Sequence, residues 1–213
     1  MENGAVTISI DDIEELLASG AALQVEIAGA DAGVSASTGE SASTGESAGA
    51  GRALSSDEMP FTHLDHALQT AAVLRHRVPD DSELAVAGLV HDIGHLLPGV
   101  GDAEHAEAGA AAVRAALGER VAGLVGLHVE AKRYLVARQS TYAGALAADS
   151  VASLALQGGP MTIDEQASFA RLPLAQDALL LRRADESGKV DGLVVPGLEE
   201  WMKTVRGLQA SSR

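Results

Sequence analysis

Residues 82–95 read SELAVAGLVHDIGH. From Ser82 to Asp92 the apolar residues recur at helical spacing, and Asp80-Asp81-Ser82 offers a cap, so this stretch predicts a helix. His91 and Asp92 fall at its end, where adjacent side chains project about 100° apart. One metal ion could use both only by sitting over the edge between them. A carboxylate has two oxygens, so Asp92 could also bridge two ions. His95 lies four residues after His91, on the same face if the helix continues, and Gly94 permits a close approach or a break.

The segments on either side carry the same pattern. Helix-like spacing runs over 64–77, 103–117, 119–137, 142–157, 162–169, 173–184 and 198–208. Ala and Leu dominate, Gly or Pro punctuates the segments, and strand alternation is lacking. Thr162 followed by Glu165 has the form of a capping box. The fold class expected is all-α, a helical bundle over 59–209. Ahead of it lie an N-terminal segment over 1–27 and a tract over 28–58. In the first, Ser9 or Asp11 can cap a short helix through DDIEELLA. The second is mostly Ala, Gly, Ser, Thr, Asp and Glu, with SASTGE repeated in tandem at 35–40 and 41–46. That tract has too little apolar bulk to offset its ordering entropy and reads as a flexible linker.

Composition narrows the function. The 213 residues carry 15 Lys and Arg against 30 Asp and Glu, a formal net charge of −15. So acidic a chain argues against nucleic acid or an anionic membrane as partner, because both require broad positive potential. Cysteine is absent, which removes disulfides, thiolate metal sites and cysteine nucleophiles together. No run approaches the roughly 20 apolar residues of a membrane span, and MENGAVTISI lacks the basic start of a secretory signal, so a cytoplasmic location is expected. The seven histidines are the exception to this plain chemistry, and all lie between His63 and His128.

Imidazole and carboxylate without sulfur suit Fe, Mn or Zn. Around His91 and Asp92 the candidates are His66 in THLDHALQ, His105 in AEHAEAG, His128 in GLHVEAKRY and Asp185 in LRRADESGK. His66, His91, Asp92 and Asp185 would make a single site. Adding His105 and His128 builds a second coordination sphere that shares Asp92. His63 and His76 are expected to be structural. Basic residues gather near these motifs. Lys132 is four residues after His128, Lys189 four after Asp185, and Arg182 three before it, as capture of an anion requires.

HALQTA (66–71), AGLVHDIGH (87–95), EHAEAGA (104–110), HVEAKRYL (128–135), SVASLALQGGPM (150–161) and LRRADESGK (181–189) together resemble the HD-domain superfamily. Within it they resemble the mixed-valent di-iron oxygenase branch of organophosphonate catabolism, related to myo-inositol oxygenase. The resemblance covers about 64–196. It implies an HD-domain helical bundle holding two Fe ions as Fe(II)/Fe(III), which uses O2 to cleave the C–P bond of a small 1-hydroxyphosphonate, releasing phosphate and a carboxylic acid. His66, His91, Asp92 and Asp185 would then hold one iron, and His105, His128 and the shared Asp92 the other. His95 and Lys132 are the implied catalytic residues. His95, Lys132, Ser150, Arg182 and Lys189 are the implied substrate contacts.

The HD motif alone also suits a phosphohydrolase using Mn, Zn or Mg on a small phosphate ester or nucleotide. One departure from the oxygenase branch stands out. That branch caps an iron with a tyrosine upstream of the first histidine, whereas here no tyrosine precedes Tyr134. By spacing, Ser56 and Met59 in SSDEMPFTHLDH hold the relevant positions, with Glu58 one residue away.

Overall fold

A computed structural model describes residues 6–22 and 61–211. The linker expected over 28–58, with its SASTGE repeat and with Ser56 and Glu58, lies outside the described residues, as does Met59. Among the described residues the chain is helical and contains no β-strand.

The helices are α1 (Ile10–Ser19), α2 (His63–Arg77), α3 (Ser82–Val90), α4 (His105–Arg138), α5 (Ser140–Ala143), α6 (Ala148–Leu156), α7 (Ile163–Phe169), α8 (Ala175–Ser187) and α9 (Leu198–Ser211). Their starts follow the local chemistry. Ser9, Thr62 and Thr162 each accept from the backbone N–H three residues on, and Asp12, Asp65 and Glu165 bond back to the cap. Asp81 caps α3 by accepting from Leu84 N.

The centre of the bundle is α3. Its residues from Leu84 to Val90 are all buried, so it is apolar all round and needs neighbours on every side. It packs against α2, α4, α8 and α9, while α1 closes one end against α9 and α2. Trp201, Met202 and Val205 of α9 complete the core, and Arg75 stacks over the Trp201 ring at 4.3 Å. No helix among the described residues is long and apolar enough to cross a membrane.

Three local expectations change. The helix over 82–92 stops at Val90. Asp92 leaves helical geometry at φ −98°, ψ 9°, and Ile93–Leu96 forms a 3-10 turn, so His95 does not share a helix face with His91. The segments 103–117 and 119–137 form the single element α4, broken at Gly118 (φ 85°). The stretch 142–157 splits into α5 and α6, because the backbone turns extended at Ala147 (ψ 153°) after Gly144.

Gly94 explains how the 3-10 turn reaches α4. A Cβ placed there would lie 1.9 Å from the carbonyl oxygen of His105, an impossible contact with backbone. Gly94→Ala should therefore push the His91–His95 segment away from the start of α4. The expected cost is about 3 kcal/mol or more, read as a lowered midpoint in chemical denaturation. A variant as stable as the parent would contradict this packing.

Candidate metal centre

Four helices and one loop aim side chains at one point. His66 comes from the buried face of α2, His91 from the end of α3, and Asp92 from the residue after it. His105 and His128 come from the two halves of α4, and Asp185 from α8. His66, His91, His105, His128 and Asp185 are all at most 3% exposed, while Asp92 is partly buried.

The orientation of the imidazoles is set by backbone. His66 Nδ1 bonds Gly188 O at 2.9 Å, His91 Nδ1 bonds Gly88 O at 2.8 Å, His105 Nδ1 bonds Asp102 O at 2.7 Å and His128 Nδ1 bonds Val125 O at 2.6 Å. A carbonyl oxygen only accepts, so each Nδ1 carries a proton, and in the neutral imidazole each Nε2 presents a lone pair. This is how metal-binding histidines are usually held.

The lone pairs meet in two pairs. His66 Nε2 is 3.3 Å from His91 Nε2, and His105 Nε2 is 3.0 Å from His128 Nε2. Two acceptors that close repel unless a metal cation or a proton lies between them. Asp92 divides its oxygens between the pairs. Its Oδ2 is 3.7 Å from His66 and 3.4 Å from His91, and its Oδ1 is 3.7 Å from His105 and 3.4 Å from His128. Asp185 faces the first pair alone, at 3.2 Å from His66 and 3.7 Å from His91. The donor set therefore fits two hard or borderline cations that share Asp92, one with an added carboxylate.

His95 also comes near. One ligand atom each of Asp92, His95 and His105 lie within 4.8 Å of one another. Its ring, however, stacks on His105 at 3.9 Å between centroids and 17° between planes. Parallel rings cannot both aim in-plane lone pairs at one ion, so His128 is the better partner for His105.

Electrostatics agree with a cation-seeking site. Burial works against charge on His91, yet the Asp92 and Asp185 carboxylates lift it to about 9. Burial pushes His128 down to about 4, with Asp92 only partly opposing. Burial also opposes ionisation of the two carboxyls, but His91 beside Asp92 and Arg182 beside Asp185 hold both well below the usual range.

The centre opens into a cavity of about 290 Å³. One wall is cationic. Lys132 Nζ donates to Ser153 Oγ at 2.9 Å, Lys189 Nζ to Ser150 Oγ at 3.1 Å, and Arg182 Nη2 to Ser150 Oγ at 3.3 Å. Lys189 lies beyond the end of α8 but still turns back to 4.0 Å from Asp185. Arg182 is more committed than its spacing suggested. Its guanidinium also reaches Asp185, Glu186 and the hydroxyl of Tyr142.

Every residue singled out as ligand or substrate contact is thus brought to this region, His91 through the buried first histidine pair and the rest at the cavity wall. His63, expected to be structural, lines the cavity too, 5.9 Å from His95, whereas His76 is exposed on α2. Asp102, Asp149, Ser153 and Gln157 line it without having been singled out for the site. No spacing rule marked them, since Asp102 sits in a loop and the other three belong to α6 and its end.

The HD domain family matches residues 61–185. A hydroxymethylphosphonate dioxygenase of Gimesia maris is 40% identical over 149 residues, 66% of this chain and 74% of that protein. A glycine-betaine-forming [1-hydroxy-2-(trimethylamino)ethyl]phosphonate dioxygenase of Leisingera caerulea is 35% identical over 145 residues, 64% of this chain and 74% of that one.

Proposed function

We propose that this chain, which belongs to the HD-domain family and within it to the phosphonate-oxygenase branch, uses O2 to cleave the C–P bond of a small 1-hydroxyphosphonate. It is an HD-domain oxygenase, and the products assigned to it are phosphate and a carboxylic acid. The reaction balances with O2 alone. The C–H and C–P electron pairs of C1 reduce one O2, the O–O bond breaks, and both oxygen atoms are kept in the products.

The observation that carries this reading is the pair of facing imidazole pairs on either side of Asp92, opening onto a cationic wall. His66, His91, Asp92 and Asp185 would hold one iron, and His105, His128 and Asp92 the second. When bound as Fe(II)/Fe(III), the irons would supply redox chemistry with O2 and acidify a coordinated substrate hydroxyl. The protein's own part is binding and orientation. Lys132, Lys189 and Ser150 would take the phosphonate oxygens. Arg182 would hold Asp185 in place while adding positive potential. His95, stacked on His105 and facing the cavity, would lie beside the reacting carbon and its hydroxyl.

The test uses iron-loaded protein and hydroxymethylphosphonate. Phosphate release should match O2 uptake one for one, and a mixed-valent di-iron paramagnetic signal should change on adding the phosphonate. Phosphate release without O2, or from phosphate esters with Mn or Mg alone, would sink the oxygenase reading in favour of hydrolysis.

Lys132 has its own signature. Burial, aided by the nearby Arg182 charge, brings its ammonium down to about 8. The cation is present below that value and lost above it, so phosphonate binding should weaken as pH rises from 7 to 9. Lys132→Ala should raise the KM roughly tenfold or more with iron content unchanged. Lys132→Arg should flatten the pH dependence. Loss of iron in Lys132→Ala would contradict this placement.

A further inference from the structure

The nine-residue helix α6 forms one wall of the cavity, yet it is attached in an unusual way. Of its side chains only Ser150 is buried, while Val151 and Leu156 are 52% and 65% exposed. A helix this short is marginal by itself and normally depends on an apolar face packed against the core. Here the ties are polar. Ala147 N donates to Glu186 at 3.1 Å ahead of the helix, and Gln157 Nε2 donates to Asp102 O at 3.3 Å after it. Between them lie the bonds from Lys132 to Ser153 and from Lys189 and Arg182 to Ser150. After Gln157 come two glycines at φ 93° and 70°, Gly158 and Gly159, where the chain turns back and Arg133 Nε donates to Gly159 O at 2.9 Å.

The serine hydroxyls are poised to donate. Ser150 Oγ accepts from two cations and makes no donation of its own among the described residues. Ser153 Oγ accepts from Lys132, and its hydrogen reaches only Ser150 O at 3.4 Å, the long end of a hydrogen bond. An anion entering between α6 and the cations would offer both hydroxyls a better acceptor.

We propose that α6 is a clamp closed by the bound anion, with Ser153 as a second hydroxyl of the anion site beside Ser150. The phosphonate oxygens accept from Lys132 and Lys189 on one side and from the two serines on the other. The ligand thereby supplies the cohesion that apolar packing does not give this helix. The ligand's identity rests on the phosphonate reading above, while the clamp itself is tested without turnover.

The probe is methylphosphonate, which lacks the C1 hydroxyl, added to iron-loaded protein under anaerobic conditions. Hydrogen exchange of amides in 144–160 should slow roughly tenfold or more on binding, while α1 and α9 stay unchanged. Ser153→Ala should weaken the calorimetric Kd by roughly tenfold and abolish most of that protection, because a hydrogen bond to a charged group is lost. Ser153→Thr should keep both. Binding of methylphosphonate with unchanged exchange in α6, equal affinity in Ser153→Ala, or no binding at all would each overturn the clamp. Turnover of hydroxymethylphosphonate without protection of α6 would sink the clamp alone. Protection without O2-dependent phosphate release would sink only the reaction assigned above.

Discussion

On the two-iron reading proposed above, Asp92→Asn should strip both irons from the protein and lower phosphonate turnover by more than about a hundredfold. The carboxylate stands between the two histidine pairs, with one oxygen toward each. A carboxamide keeps the size but loses the negative charge and one of the two oxygens. Residues that merely orient a metal ligand already cost 10–100-fold, so a shared ligand should cost more. His128→Ala is the informative contrast. It removes one donor from the second grouping only and should leave close to one iron per chain. Metal analysis and the paramagnetic signal separate the two variants. An Asp92→Asn protein that still holds two irons would show that Asp92 is not shared.

Arg182→Met should produce the largest loss of stability outside the apolar core. The guanidinium is 4% exposed and bonds Asp185, Glu186, Tyr142 and Ser150 at once. Removing it leaves the buried Asp185 carboxylate without its main cation. Breaking one partner of such a buried pair costs about 3–5 kcal/mol. For a domain of this size that is a fall in Tm of roughly 6–20 °C. The effect should be greatest in chelator-treated protein, where no bound cation compensates Asp185. Arg182→Lys should rescue little, since an ammonium cannot reach four partners arranged as a fork. A Tm unchanged in metal-free Arg182→Met would show that these bonds carry no stability.

These two residues also show where reading the chain succeeds and stops. Asp92 was legible because its neighbour His91, the earlier His66 and the later His105, His128 and Asp185 form a set that chance rarely assembles. Arg182 was legible as a cation near Asp185, three residues away on one helix. Its commitment to Glu186, Tyr142 and Ser150 was not, because Tyr142 and Ser150 come from other helices. His63 was passed over for the same reason. Nothing in its local sequence tells that the start of α2 borders the cavity. For His95 the sequence left two outcomes open, a continuing helix or a break at Gly94, and the structure shows the break. Gly94, in the 3-10 turn over Ile93–Leu96, meets the backbone of His105 so closely that no side chain fits there.

Sequence alone determined the all-α class, where most of the helical stretches lie and the six metal-ligand candidates, but not how the segments around Gly118 and Gly144 join or divide. Apolar periodicity, capping residues and donor chemistry are properties of neighbouring positions and need no knowledge of distant ones. Only the tertiary structure decided that the four imidazoles face one another in pairs, because their tautomers are set by carbonyls of Gly188, Gly88, Asp102 and Val125. Only it decided that Asp92 turns one oxygen to each pair, and that the hydroxyls of Ser150 and Ser153 on α6 meet the cationic wall. Those facts depend on angles between elements far apart in the chain, which no local pattern encodes.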